Sequence, residues 1–309
     1  MLNSEAKNDR FERSAGTTNV PAEAKNDTQR NSGRKLFYGL FVFPLLIAVG
    51  MAVLLCTVVL LTREVETPES LITAIKTGSP SKRWQKAFEL SNELNQGRGM
   101  IRTSGVMKEV IYILNDRAEY DAKTRSYMAI ALSRFDDPEV VPALSRALAA
   151  ETEPDVQLYL IWALGIKQAD AAIPGILPFL ESEQPDLRKM AAYVLGVLGD
   201  SKSIEPLKRL LNDETDDVRW NAALSLARLG SDAGYDVLLK MLDRETLASR
   251  DQMPEAKIEE IMTNAARGLA LLRRTEALPV LARISNSDKS LKVRQAAMEA
   301  LQYQKESAA

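Results

Sequence analysis

The sequence predicts an all-α protein: an α-solenoid of about seven helical hairpins, preceded by one transmembrane helix and a disordered N-terminal tail. Two observations predict this architecture. A run of 27 residues without a charge occupies positions 36–62, and a pattern of apolar and small residues then returns about every 31 residues. Periods of 20–50 residues are typical of repeat arrays. We divide the chain into a tail at 1–34, a membrane helix at 35–63, a solenoid at 64–302 and a polar C-terminal end at 303–309.

The tail is rich in Asn, Ser, Thr, Ala and charged residues and contains few apolar ones. A segment of this composition cannot bury enough apolar surface to offset the entropy lost on folding. We therefore expect residues 1–34 to be disordered.

The apolar run at 36–62 predicts a single membrane span. As a helix it is about 40 Å long at ~1.5 Å per residue, which exceeds the ~30 Å hydrocarbon core of a bilayer. A buried core helix and a cleaved signal peptide are the alternatives. The run is long for either, and 35 residues precede it, whereas signal peptides start with a short basic region. Pro44 lies near the beginning of the span, where a kink costs least.

The charges that flank the span weakly favour one orientation. Arg30, Arg34 and Lys35 lie before it, whereas Arg63 stands alone after it and is followed by glutamates. The positive-inside tendency then puts the N-terminus in the cytoplasm and the solenoid on the outer side. When longer stretches on both sides of the span are compared, the difference in the number of basic residues is smaller.

The repeat is clearest at Val218, Arg219, Ala222, Ala223 and Leu226, which read apolar, Arg, two variable, two small, two variable, Leu. The spacing predicts one helix that buries its apolar and small positions. The seven copies of this helix begin at Lys82, Thr124, Val156, Leu187, Val218, Ile261 and Val293.

Another amphipathic stretch precedes each copy, as in Ile204, Leu207, Leu210 and Leu211. Each unit is therefore expected to be a pair of short helices. Neither helix can bury its apolar stripe alone, so neighbouring units must stack to close a continuous core.

Capping residues are expected to fix where some helices begin. Asp155, Asp186 and Asp217 stand where they would cap the second helices. Thr67, followed by Pro and Glu, would open the first repeat helix. Because only about four residues separate this point from Arg63, the solenoid is expected to stand close to the membrane.

The pattern Asp-Val-Arg-x-x-Ala-Ala-x-x-Leu at this period resembles the short class of HEAT repeats, often called phycobilisome-lyase-like HEAT repeats, over about 67–302. The resemblance implies an armadillo-like helical solenoid whose second helices line a concave surface. It also implies that the recurring arginines form hydrogen bonds between adjacent units. These arginines are Arg83, Arg125, Arg188, Arg219 and Arg294. Two of the spacings between successive copies are longer than the period of the repeat. We therefore interpret residues 97–105 and 245–256 as inserted loops.

Composition argues against catalysis, and we predict no enzyme activity, no cofactor and no metal. The chain has no histidine and one cysteine, Cys56. It therefore lacks the His–Glu metal pairs of the HEAT-like deoxyhypusine hydroxylases, and it cannot form Ser-His-Asp or Cys-His nucleophiles. After Arg63, 37 acidic side chains face 32 basic ones, so a nucleic-acid partner is not expected.

A helical wheel places the third and seventh positions of each copy opposite the core. The first five copies carry apolar or aromatic residues there, including all three tryptophans. We predict that these residues bind a protein partner on the concave face, although they could instead fill gaps between neighbouring units. They are Trp84, Phe88, Ile130, Leu158, Trp162, Tyr193, Trp220 and Leu224.

The sequence thus favours a membrane-anchored scaffold or adaptor for protein–protein interaction, with a membrane-associated partner. A lyase-like or chaperone-like accessory subunit acting on a client protein is the alternative. Assembly of the chain with itself is a third possibility.

Overall fold

The computed structural model describes residues 37–62, 67–96, 103–250 and 253–306, and within these ranges the secondary structure is helical without strands. The chain divides into two units, with the boundary between Val65 and Glu66. The predicted disordered tail and the short junction after Arg63 lie outside the described residues.

The N-terminal unit contains one long apolar helix. A π-helical turn at Tyr38–Val42 leads into α1 (Phe43–Thr62). The stretch Tyr38–Val59 has a mean hydropathy of 2.7 and is not buried. The π-helical turn lies just before Pro44. In a regular α-helix the proline ring would clash with the carbonyl group four residues earlier, and the π-helical turn relieves this clash. This helix is long and apolar enough to span a membrane.

The C-terminal unit is a solenoid of seven helical hairpins within the described residues, which we number units 1 to 7. Three of the first helices are short and flanked by 3₁₀ turns. The pairs are α2 (Pro68–Thr77) and α3 (Pro80–Gln96); α4 (Ser104–Asn115) and α5 (Ala122–Leu132); α6 (Val140–Ala150) and α7 (Pro154–Ile166); α8 (Ile173–Ile176) and α9 (Pro185–Leu198); α10 (Ile204–Arg209) and α11 (Asp216–Arg228); α12 (Tyr235–Lys240) and, after the extra helix α13 (Arg244–Ala248), α14 (Glu255–Leu272); and α15 (Leu278–Ser287) and α16 (Leu291–Glu306).

Helix α2 begins as predicted, with a capping box between Thr67 and Ser70. The predicted N-caps at Asp155 and Asp186 are wrong, because Pro154 and Pro185 already occupy the first helical position. The two aspartates lie in the first turn instead, where their charge still complements the helix dipole. The third predicted cap, in α11, likewise lies in the first turn, since that helix begins one residue earlier.

The core of the array consists of two clusters of buried residues that meet at α11. The second helix of each unit packs on the second helix of the following unit. Helix α11 contributes to both ends of the core: Val218 and Leu226 belong to the cluster of units 1 to 5, whereas Ala223 and Ala227 belong to that of units 5 to 7. Small residues allow neighbouring second helices to approach closely. A Cβ on Gly196 of α9, for example, would lie 2.3 Å from Oγ of Ser225 on α11.

The insertions differ in structure. Residues 97–102 of the first insertion lie outside the described part, and α4 begins after an N-cap at Thr103. The second insertion is only partly a loop, because it contains α13, which is capped by Asp243. This extra helix places Arg244 beside unit 7, as described below.

Candidate binding face of the second helices

We number each second helix from the residue that starts its repeat copy, so that Val218 is position 1 of α11. Second helices contact their neighbours more extensively than first helices do. Because the HEAT resemblance implies that second helices line the concave surface, we call their surface away from the first helices the concave face.

Position 7 points outward on the concave face in most units. Phe88, Trp162 and Tyr193 are 44%, 39% and 39% exposed. Leu224 is half-buried at the same position. Three of the eight predicted residues are thus exposed on one face, and a fourth is half-buried there.

Position 3 does not point outward as predicted, because it turns toward the next unit. Trp220 is 8% exposed and packs in the core, with the Arg250 guanidinium 5.6 Å from its ring centroid. Trp84 is half-buried, and Nζ of Lys123 lies 3.2 Å from its ring centroid. Leu158 is also half-buried. These side chains fill the space between units, which is the alternative considered from the sequence.

Ile130, at position 7, is a second correction, because it is buried at 7% exposure in the core of units 1 to 5. Helix α5 lies between α3 and α7 and is buried over most of its length. Its exposed surface is therefore narrower than a helical wheel suggests.

Position 4 carries aromatic residues that sequence reasoning missed. The ring centroids of Phe88 and Tyr127 are 5.3 Å apart, and those of Tyr127 and Tyr159 are 6.0 Å apart. Tyr159 in turn meets Trp162 at 6.1 Å, and all three pairs are edge-to-face. Such pairs contribute about 0.5–1.5 kcal/mol beyond their burial. We call these four residues the aromatic row; it crosses units 1 to 3.

The row is followed by a polar cavity of about 300 Å³ on the concave face of units 4 to 6. Arg228 and Arg267 line it, and we call it the arginine cavity. The Arg228 guanidinium lies 5.2 Å from the centroid of the Tyr193 ring. The concave face therefore changes from aromatic to cationic along its length.

Three of the five recurring arginines link adjacent units, as the resemblance implies, and we call them the ladder arginines. Each reaches from position 2 of a second helix to a carboxylate in the loop of the next unit. The pairs are Arg83 with Glu119, Arg125 with Glu151, and Arg188 with Asp213. A phosphate-binding role is therefore not needed to explain these arginines.

The buried carboxylates of the ladder are held ionised. Burial alone raises the pKa of Glu151, but the backbone N–H groups of Glu153 and Thr152 and the Arg125 guanidinium bring that pKa below its ordinary value. The pKa of Asp213 is lowered in the same way, against burial, by hydrogen bonds from Arg188 and a backbone N–H. These carboxylates form ion pairs that join neighbouring units of the stack.

The ladder varies along the array. Gln157 replaces the arginine in unit 3, and Arg219 bonds to the carbonyl oxygens of Asp213 and Glu214 in its own unit. The link between units 6 and 7 comes instead from the inserted helix α13. There, Nε and Nη2 of Arg244 lie 2.9 and 2.7 Å from the carboxylate oxygens of Asp288.

Within the described residues, no group of three or more Asp, Glu or Cys side chains lies close enough together to hold a metal ion. The single cysteine, Cys56, lies on α1 and is exposed. The concave face thus presents aromatic rings and guanidinium groups.

The comparisons agree with this architecture. A family model for HEAT repeats matches residues 173–253. No curated protein matches the chain. Among solved structures, the complex of CpcE and CpcF of phycocyanin lyase from Nostoc sp. PCC7120 is similar, with 17% identity, a TM-score of 0.53, and coverage of 78% of this chain and 96% of that one.

Two further structures match with lower scores. YIBA of Escherichia coli has 17% identity and a TM-score of 0.49, and covers 76% of this chain and 92% of its own. A designed armadillo repeat protein has 18% identity and a TM-score of 0.36, and covers 77% of this chain and 100% of its own. The family model thus identifies HEAT repeats at residues 173–253, and the lyase complex shares the helical-repeat fold of the solenoid.

Proposed function

We propose that this protein is a membrane-anchored scaffold whose concave face binds an apolar segment of a protein partner. The observation that carries the proposal is the aromatic row. Four rings from three successive units touch edge to face, while Phe88 and Trp162 keep about two-fifths of their surface accessible.

Contact between apolar aromatic surface and water is unfavourable, and large exposed apolar patches mark interaction sites. Aromatic residues are also enriched among the anchors of protein interfaces. The rings of the row restrain one another, so less side-chain entropy is lost when a partner binds. The absence of histidine from the sequence removes the commonest catalytic base, which is in keeping with a binding role.

Membrane attachment by α1 is the second part of the proposal. The length, apolarity and lack of burial of α1 support it. The basic residues Arg34 and Lys35 before the span favour a cytoplasmic N-terminus and a solenoid on the outer side. A reporter enzyme fused after Ala309 is expected to be active only outside the cytoplasm, and activity only inside would reverse this orientation.

Binding by the aromatic row predicts that Phe88→Ala combined with Trp162→Ala weakens partner recovery. We expect a membrane protein to copurify with the wild-type chain from mild detergent in a fixed stoichiometric ratio. The double variant should recover it at least about tenfold less well, because interface anchors often cost more than 1 kcal/mol each. Quantitative mass spectrometry of the purified complexes measures the ratio.

Tyr112→Ala is the matched control, since Tyr112 is an aromatic residue that is 53% exposed on a first helix. It should leave recovery unchanged. Thermal melting followed by circular dichroism checks that each variant is folded. Equal recovery by a folded Phe88/Trp162 double variant and by wild type would remove the aromatic row as the binding surface.

A further inference from the structure

The arginine cavity is lined by two cationic side chains, Arg228 and Arg267. Among the described residues, neither Arg228 nor Arg267 makes an ion pair, in contrast to the ladder arginines. Both side chains are exposed. The one carboxylate in the cavity lining, Glu260, lies 3.5 Å from Nζ of Lys257 on the same helix. The cavity therefore offers two guanidinium groups with free donors.

The surroundings of these cations suit an anionic group that arrives with a protein chain. The Arg228 guanidinium lies over the Tyr193 ring, which limits its freedom, and Asn264 adds an amide to the lining. A second cavity of about 260 Å³ adjoins the first, shares Arg267 and Leu271 with it, and is otherwise mainly apolar. A charged subsite thus lies directly beside an apolar one.

Glu299 is the acidic group of this second cavity, and Nε2 of Gln295 lies 3.0 Å from its carboxylate. Its charge is thus partly satisfied within α16. The apolar part of the cavity is formed by Ala296, Ala300 and Tyr303. This lining suits an aliphatic side chain rather than a second charge.

We infer that the arginine cavity binds an acidic side chain, Asp or Glu, of the same partner segment that contacts the aromatic row. This inference rests on the proposed function. Guanidinium groups bind carboxylates through paired, charge-assisted hydrogen bonds, and two arginines in one cavity can hold a single carboxylate from two sides. The complementary charge selects an acidic protein segment in a solenoid whose overall charge would otherwise repel it.

The spacing of the units sets the length of such a segment. Trp162 and Arg267 both occupy position 7, in units 3 and 6, so three helix–helix spacings separate them. At about 8–10 Å per spacing the distance is about 27 Å, which about eight residues of extended chain can cover. A peptide of twelve residues is therefore long enough to reach both sites.

The test selects binders from a displayed library of random 12-residue peptides, using the full-length chain in detergent micelles. Selected peptides are expected to carry an Asp or Glu. Fluorescence anisotropy should show that Arg228→Glu and Arg267→Glu each weaken the binding of a labelled selected peptide about tenfold or more, as does the Glu→Gln change in the peptide. A Glu→Lys peptide should bind Arg267→Glu better than it binds wild type.

Arg209→Glu is the control for a change of net charge, because the Arg209 side chain is 69% exposed on a first helix. It should bind the peptide like wild type, and melting curves should show all three arginine variants folded. Peptides that bind wild type and folded Arg267→Glu equally would overturn the inference. So would inorganic phosphate that displaces the peptide at equal concentration, since the cavity would then be a site for small anions.

The two proposals can fail separately. If selected peptides lose affinity for the Phe88/Trp162 double variant but not for the arginine variants, the scaffold function stands and the acidic subsite is wrong. If they lose affinity for neither, or if the library yields no binder, both proposals are wrong.

Discussion

Replacing Arg188 with alanine is expected to lower the free energy of unfolding by about 3–5 kcal/mol, the usual cost of leaving a buried charge without its partner. Nε and Nη2 of Arg188 lie 2.7 and 2.9 Å from the two carboxylate oxygens of Asp213 in the next unit. The side chains are only 10% and 7% exposed. Without Arg188 the carboxylate keeps a backbone hydrogen bond from Thr215 and the electrostatic attraction of Arg219, but it loses its hydrogen-bonded guanidinium. Urea denaturation followed by circular dichroism measures the loss.

Arg209→Ala serves as the comparison because its ion pair joins the same two units. Arg209 lies 2.9 Å from Glu181, and both side chains are 69% exposed. Solvent-exposed pairs contribute about 1 kcal/mol or less. If both substitutions cost the same, burial does not determine the strength of the ladder.

The contribution of Arg188 should also depend on pH. Burial alone raises the pKa of Asp213, but its hydrogen bonds from Arg188 and Thr215 lower that pKa below the ordinary value. A lowered pKa stabilises the folded state fully above the unfolded pKa of about 4, and the stabilisation is lost as the pH falls through the folded pKa. The difference between wild type and Arg188→Ala should therefore be complete at pH 7 and shrink below about pH 4. A constant difference down to pH 3 would contradict this origin.

Gly196→Ala is expected to destabilise the solenoid by about 1–3 kcal/mol, although alanine favours helices by about 1 kcal/mol over glycine. A Cβ at this position would lie 2.3 Å from Oγ and 2.7 Å from Cα of Ser225. Because the nearest atoms include backbone, α9 and α11 must move apart to accept the methyl group. The shift would propagate to the stacking of units 4 and 5. The midpoint of thermal unfolding should fall accordingly.

Gly175→Ala is the matched control, because it is a helical glycine in unit 4 at which an added Cβ would have no neighbouring atom within 4 Å. Its expected effect is between zero and a gain of about 1 kcal/mol. A similar loss for both glycines would show that close helix packing is not the reason Gly196 is required.

The repeat arrangement could be predicted because its signal is periodic. Val218, Ala222 and Leu226 lie on one buried face of a helix, and the same spacing of apolar and small residues returns in each unit. The partners of the ladder arginines could not be found this way. Glu151 and Asp213 lie in loops, where no helical phase constrains their positions, and the acids differ between units. Arg244 belongs to an insertion, outside the repeat altogether.

The binding face was harder to predict because it depends on neighbouring units. At about 100° per residue, position 3 lies about 40° and position 4 about 60° from position 7 on a helical wheel. The wheel alone does not say which of the two meets the next unit. Trp220 is therefore buried where exposure was expected, whereas Tyr127 and Tyr159 lie in the accessible row.

The aromatic row also links recognition to the mechanics of the array. The contacts Phe88–Tyr127 and Tyr127–Tyr159 each join rings from two different units, so the spacing of the rings changes whenever neighbouring units tilt against each other. Repeat arrays bend by small rotations summed over such neighbours. A partner seated on several rings must therefore favour one curvature of the superhelix. Binding should then stiffen units 1 to 3, and tension on the chain that straightens the array should weaken binding.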